Sequence, residues 1–196
     1  MFRHKLLPFL IAVAPIAAAA APETFTLDPY HSFANFTFDH LGLSTVYGRF
    51  QKTSGKFTLD RAAKTGSVEV GMDANSVDTG DAERGSRPRS RNEMLRSADY
   101  FNAAEFPQIT FKSTRVAFSG DAPSGVEGNL TLLGVTRPVT LKLERFKCIT
   151  NPVNKKERCG GNASATIRRS DFGMKTALNF ASDEIPLMIG FEGDKD

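Results

Sequence analysis

The sequence predicts an all-β chain, an antiparallel barrel of about eight strands with one short helix. Three observations predict it. Apolar residues recur at period two in short segments from Thr24 onward, the signature of strands with one buried face. Polar, Gly-containing punctuation separates these segments at regular spacing, as turns do between antiparallel strands. Between Val77 and Asn102 the alternation vanishes, and a helix-start signal takes its place.

The first twenty residues stand apart. Met1 to Ala20 combine a basic start (Arg3, His4, Lys5), an apolar stretch from Leu6 to Ile16 and an Ala-rich end with Ala-x-Ala cleavage sites. That is the layout of a secretory signal peptide, and its apolar stretch is too short for a lasting membrane anchor. Cleavage is expected after Ala19, Ala20 or Ala21, and a cut after Ala20 leaves residues 21–196 as one domain. Loss of Arg3 and Lys5 takes the formal net charge from +3 to +1, so the basicity belongs to targeting. A near-neutral remainder gives no argument for nucleic acid or an anionic membrane surface.

In the strand segments, Ala34, Phe36 and Phe38 share one face, as do Val68, Val70 and Met72, and Ile109 and Phe111. Further on, Val126, Leu130 and Leu132 form a set, then Val139, Leu141 and Leu143, then Ile185, Leu187, Ile189 and Phe191. Thr53–Gly55, Asp60–Gly66, Ser119–Gly125, Gly134 and Asn151–Gly161 read as the breakers between them. Ser90-Arg-Asn-Glu93 has the form of a capping box, which predicts a helix from Arg91 to about Ala98. It must stop before Phe106, because Pro107 disfavours a helical predecessor.

The residue types that carry chemistry are sparse. Beyond the leader only His31 and His40 remain. They fall on opposite faces of a strand by parity, so they do not converge locally on a metal. His40 continues the apolar face of Phe36 and Phe38, as a structural hydrogen-bonding group or as a polar group at the end of an apolar cavity. Arg84, Arg87, Arg89, Arg91 and Arg96 lie among Asp81, Glu83 and Glu93. They read either as a solvated loop or as a cationic rim for a phosphate or carboxylate head group. No G-x-S-x-G elbow, dinucleotide fingerprint or phosphate loop is present in the sequence. No catalytic residue, cofactor or metal is therefore expected.

Cys148 and Cys159 are the two cysteines, and in an exported chain pairing is the economical reading. The polar segment between them predicts a staple at the base of a surface hairpin rather than in the core. Sixteen Phe against three Tyr and no Trp describe an interior with area but little demand for hydrogen-bond partners. A barrel of about eight strands can fill such an interior or hold one small ligand in it.

Asp28-Pro-Tyr-His-Ser32, Gly48-Arg-Phe50, Leu95-Arg-Ser-Ala-Asp-Tyr-Phe101, Phe106 to Ser113, Gly128 to Pro138 and Arg169-Ser-Asp-Phe-Gly173 follow one another along the chain. In these motifs and their order the chain resembles the YceI-like family of bacterial periplasmic proteins. The resemblance implies a lipocalin-like antiparallel barrel around a long apolar ligand, such as a polyisoprenoid, an isoprenoid quinone or a fatty-acid derivative, and it admits homodimers. Where the family often has Arg-Asp-x-His-Leu, this chain has Arg91-Asn-Glu-Met-Leu95; Asn92 and Met94 replace an acid and a histidine. The Cys148–Cys159 segment looks like a feature of an exported subgroup.

The reading that follows is a soluble periplasmic carrier, not an enzyme, with Phe36, Phe38, His40, Val70, Met72, Met94, Ile109, Phe111 and Leu141 against a long-chain isoprenoid or acyl lipid. Neither nucleic-acid binding nor stable membrane insertion is expected, given the negative mean hydropathy and the Glu192-Gly-Asp-Lys-Asp196 ending. The alternative is a stress-response or interaction protein with a filled core that acts through its arginine loop.

Overall fold

The computed structural model describes residues 21–196; the signal-peptide reading of residues 1–20 lies outside the described residues. The strands are β1 (Glu23–Leu27), β2 (Phe33–His40), β3 (Ser44–Phe50), β4 (Thr53–Asp60), β5 (Thr65–Asp73), β6 (Val77–Asp78), β7 (Gln108–Ser119), β8 (Ala122–Leu132), β9 (Val135–Thr150), β10 (Glu157–Arg168) and β11 (Glu184–Lys195), with one α-helix, α1 (Arg91–Arg96). Neighbours run β1-β4-β5-β7-β8-β9-β10-β11, and β11 pairs back with β1. That circuit is a closed antiparallel barrel of eight strands, as the sequence predicts.

Closure uses β11 twice. Its end, Gly193–Lys195, pairs with β1, and its Leu187–Gly190 stretch pairs with β2. Residues 28–32 let one edge be shared in this way. The buried Ser32 hydroxyl donates to the Glu192 carbonyl (3.0 Å) and accepts from the Glu192 amide (3.1 Å). Above that bend β2, β3 and β6 extend the sheet.

Three sequence readings of turns need correction. Thr53–Gly55 lies inside β4 and pairs with Val70–Met72 of β5. Gly55 is there for close approach: a Cβ would sit 2.3 Å from the Glu69 carbonyl oxygen, so the glycine marks tight strand contact rather than a turn. The breakers at Ser119–Gly125 and Asn151–Gly161 are also narrower than predicted, since β8 begins at Ala122 and β10 at Glu157.

The capping box forms, with the Glu93 amide donating to Ser90 Oγ (3.2 Å) and the Ser90 amide to Glu93 Oε2 (2.9 Å). The helix ends at Arg96, because Ser97 turns extended and donates back to the Met94 carbonyl. Leu95 and Asn92 are its buried residues.

The core has two parts. The larger holds Phe36, Phe50, Met72, Leu95, Phe101, Ile109, Phe111, Leu130 and Leu132 among others. The smaller, at the β1 end, holds Phe25, Leu27, Phe57, Leu59 and Cys159. Phe25 and Phe57 stack with centroids 4.9 Å apart.

Cys148 and Cys159 form a disulfide between directly opposed residues of β9 and β10. Its position corrects the surface-staple expectation. Cys159 is fully buried in the smaller core, because β11 flanks β10 on its other side and Gly193 lies opposite Cys159.

Candidate functional site: a one-ended apolar cavity

The inward faces of the strands do not meet. They enclose a cavity of about 550 Å³, within the usual range of small-molecule sites. All nine residues singled out for ligand contact line it: Phe36, Phe38, His40, Val70, Met72, Met94, Ile109, Phe111 and Leu141. Period two explains the convergence, since each strand that contributes one inward side chain contributes its i±2 neighbours as well. Val68, Val126, Leu143 and Leu187 line the same wall.

The floor is aromatic. Phe57, Phe146 and Phe191 line it, with Phe57 edge-on to Phe191 at 5.8 Å. Behind them Phe25 and Cys159 are fully buried.

The opposite end is open, because residues there both line the cavity and reach solvent. Phe180 is 52% exposed and Leu43 beside the lip 82%, and His40 is exposed as well. The lip is tied together by backbone bonds: Leu41 donates to the Phe180 carbonyl (3.0 Å), and His40 bridges to Ala181. His31, by contrast, is exposed at the bend before β2, hydrogen-bonded to Asp28 at 2.8 Å.

One residue that periodicity passes over organises this lip. Arg169 is 5% exposed and commits its guanidinium to four backbone carbonyls, those of Ser182 (2.9 Å), Met174 (3.2 Å), Thr176 (2.7 Å) and Ala181 (3.0 Å). It thereby pins the 173–183 segment over the barrel. Burial pushes its pKa down, with Asp183 and Tyr100 opposing. The sequence signal was the Arg-Ser-Asp-Phe-Gly motif, which carried no hint of a buried cation.

The arginine-rich segment is exposed over residues 82–89, as a solvated loop is, and it also carries ion pairs within the chain. Arg84 grips Glu93 (Nε to Oε2 2.8 Å) and Arg87 clamps both Asp81 oxygens (2.7 and 2.6 Å). The Arg84 hydrogen bond holds the Glu93 carboxyl down at about 2. Asn92 is 3% exposed. Its amide donates to Asp78 Oδ1 (3.0 Å) while its oxygen accepts from the Thr79 amide and hydroxyl (both 2.8 Å). An aspartate at 92 would set a second carboxylate against Asp78. Arg91 and Met94, on either side of it, line the cavity.

Among the described residues, Cys148, Glu157 and Cys159 are the grouping with metal-ligand proximity. Both sulfurs are consumed by the disulfide, which removes the thiolates such a site needs. Among the same residues, no helix is long and apolar enough to cross a membrane.

Residues 25–193 match the profile of the YceI-like domain. Protein YceI of Salmonella arizonae is 41% identical over 178 residues, covering 90% of this chain and 88% of that protein. Among solved structures, BcnA of Burkholderia cenocepacia superposes with a TM-score of 0.68 at 24% identity, over 85% of this chain and 98% of that one. A polyisoprenoid binding domain from Saccharophagus degradans, implicated in plant cell wall breakdown, does so with a TM-score of 0.62 at 20% identity, over 88% and 98%. At these identities the two structures speak to the fold.

Proposed function

The chain belongs to the YceI-like family, and on that premise we propose that it is a lipid carrier whose barrel holds the tail of a long apolar ligand. The observation that carries the reading is the cavity itself, apolar along its walls, closed by aromatic rings at the floor and open at one lip. Burial of a tail there supplies affinity at roughly 0.8 kcal/mol per methylene. The nine lining residues named above are the proposed contacts. A polyisoprenoid, as in the description of the Saccharophagus degradans domain, an isoprenoid quinone and an acyl chain are the proposed classes of cargo. No catalytic step is part of the proposal.

The proposed place of action is the periplasm, with residues 21–196 as the mature domain. The layout of residues 1–20 and the Cys148–Cys159 disulfide support this, since disulfides persist in oxidising compartments. An unfilled interior of this volume counts against the filled-core alternative, and the pairing of Arg84 and Arg87 within the chain leaves that alternative a smaller free charge.

The test is mass spectrometry of an organic extract of the protein purified without detergent, beside native mass spectrometry of the intact species. A stoichiometric long-chain lipid supports the carrier. An empty protein that also refuses added polyisoprenoids, quinones and fatty acids would return the filled-core reading.

A further inference from the structure

The charges around the cavity are of one sign. Arg91 and Arg169 line it, and no Asp or Glu is among its lining residues. Arg169 lies at the lip, and Arg91 lies on the wall beside Met94 and Leu95 of α1. Arg169 binds the Ala181 carbonyl beside His40, and Tyr100, which follows α1, also lines the cavity and acts on the Arg169 charge.

The two arginines differ in what they have left to give. Arg169 spends four hydrogen bonds on the backbone and contributes a fixed positive charge. The Arg91 guanidinium donates no hydrogen bond among the described residues. Its nearest carboxylate, Asp81, is 3.7 Å away and already clamped by Arg87. Yet the Arg91 side chain is only 32% exposed, so part of its hydration is lost without a full counter-charge in return.

Resting on the carrier reading, we infer that the cargo is an anionic amphiphile whose carboxylate or phosphate head is held by Arg91 where that side chain lines the cavity. The planar guanidinium fork matches such oxyanions in bidentate fashion. The low-dielectric wall strengthens that attraction and repels a cationic head. A neutral tail would occupy the barrel but offer the Arg91 fork no oxyanion to hydrogen-bond, leaving it only the 3.7 Å pairing with Asp81. A free oxyanion would find a single fork and no apolar burial, so the tail and the head act together.

The experiment compares dodecanoate, dodecyl phosphate, dodecanol, dodecyltrimethylammonium and inorganic phosphate as ligands of the delipidated protein, by calorimetry. The wild type is set beside Arg91→Ala and, as a control, Arg89→Ala; Arg89 is a neighbouring cation that does not line the cavity. Dodecanoate and dodecyl phosphate are expected to bind about tenfold or more tightly than dodecanol, the size of a charge-assisted hydrogen bond. Arg91→Ala is expected to lower them to the level of dodecanol, while Arg89→Ala changes little and inorganic phosphate alone does not bind. Equal affinities for oxyanion and alcohol, or equal losses in the two variants, would overturn the head-group site and leave the carrier standing. Binding of inorganic phosphate with the affinity of the amphiphiles would overturn it too. If no amphiphile binds, the carrier reading itself fails.

Discussion

Phe36 and Gly48 face each other across β2 and β3, and the phenylalanine ring occupies the space a side chain at 48 would need. A Cβ there would lie 2.4 Å from the ring tip. The same ring packs against Phe50 at 5.7 Å and Phe101 at 6.3 Å, so it cannot retreat without disturbing its neighbours. Gly48→Ala is therefore expected to destabilise the fold by about 1–3 kcal/mol, the usual cost of overpacking. Thermal melting reads this directly. An unchanged midpoint would mean that the ring relaxes into the cavity at no cost.

Leu141 offers the converse experiment. It lines the cavity half-buried, opposite Val126 on β8, where a larger side chain has room to project inward. Leu141→Trp is expected to leave the fold stable and to lower the affinity for any long-chain ligand at least tenfold by filling the cavity. Titration with a fatty acid or polyisoprenoid checks it, and undiminished binding would move the ligand away from this wall.

The disulfide is expected to matter more than a surface staple of the same loop length. Chain entropy alone suggests roughly 2 to 3 kcal/mol for so short a loop. Cys159 in addition fills a fully buried position beside Phe57 and Phe25, so removing its sulfur leaves a void. Urea unfolding of the Cys159→Ala, Cys148→Ala double variant is expected to show a greater loss than reduction of the wild type does. Equal losses would assign the whole effect to the unfolded chain.

Asp194 gives the protein an acid-sensitive contact. Its carboxylate accepts from Arg158 (2.7 and 2.8 Å), Asn151 (3.3 Å) and Asn154 (2.8 Å), and the Arg158 hydrogen bonds above all hold its pKa well below the ordinary value. Because the folded pKa is depressed, the stabilisation is fully present above the unfolded pKa of about 4 and is lost as pH falls below it. The urea midpoint is expected to fall as the pH is lowered below about 4, and to fall less steeply in Asp194→Asn. A parallel decline in both proteins would place the acid sensitivity elsewhere.

Strand parity made the cavity wall legible. Phe36, Phe38, Ile109, Phe111 and Leu141 carry their inward direction in the period of the sequence, and the Ser90–Glu93 box announced α1. What stayed hidden is long-range. Nothing local tells that β11 serves both β1 and β2, or that β10 and β11 bury Cys159 between them. Gly55 read as a turn because a glycine needed for close strand approach looks, in sequence, like one needed for a bend. Arg169 was missed as a buried cation because its partners are backbone carbonyls, which no side-chain pattern reports.

The strand that closes the barrel is the last of the eight ring strands in chain order. Thr26 bonds to Asp196 across 170 residues of chain (2.5 Å), and the Asp196 amide reaches back to the Thr24 carbonyl (3.0 Å). A nascent or threading polypeptide therefore carries seven of the ring strands with β1 and β10 unjoined until the twelve residues Glu184–Lys195 are free. Loop closure over that span is slow, and unpaired edges stay available to other chains until it happens. A stop codon just ahead of Glu184 would thus leave an open sheet with no cavity at all, rather than a slightly shorter container.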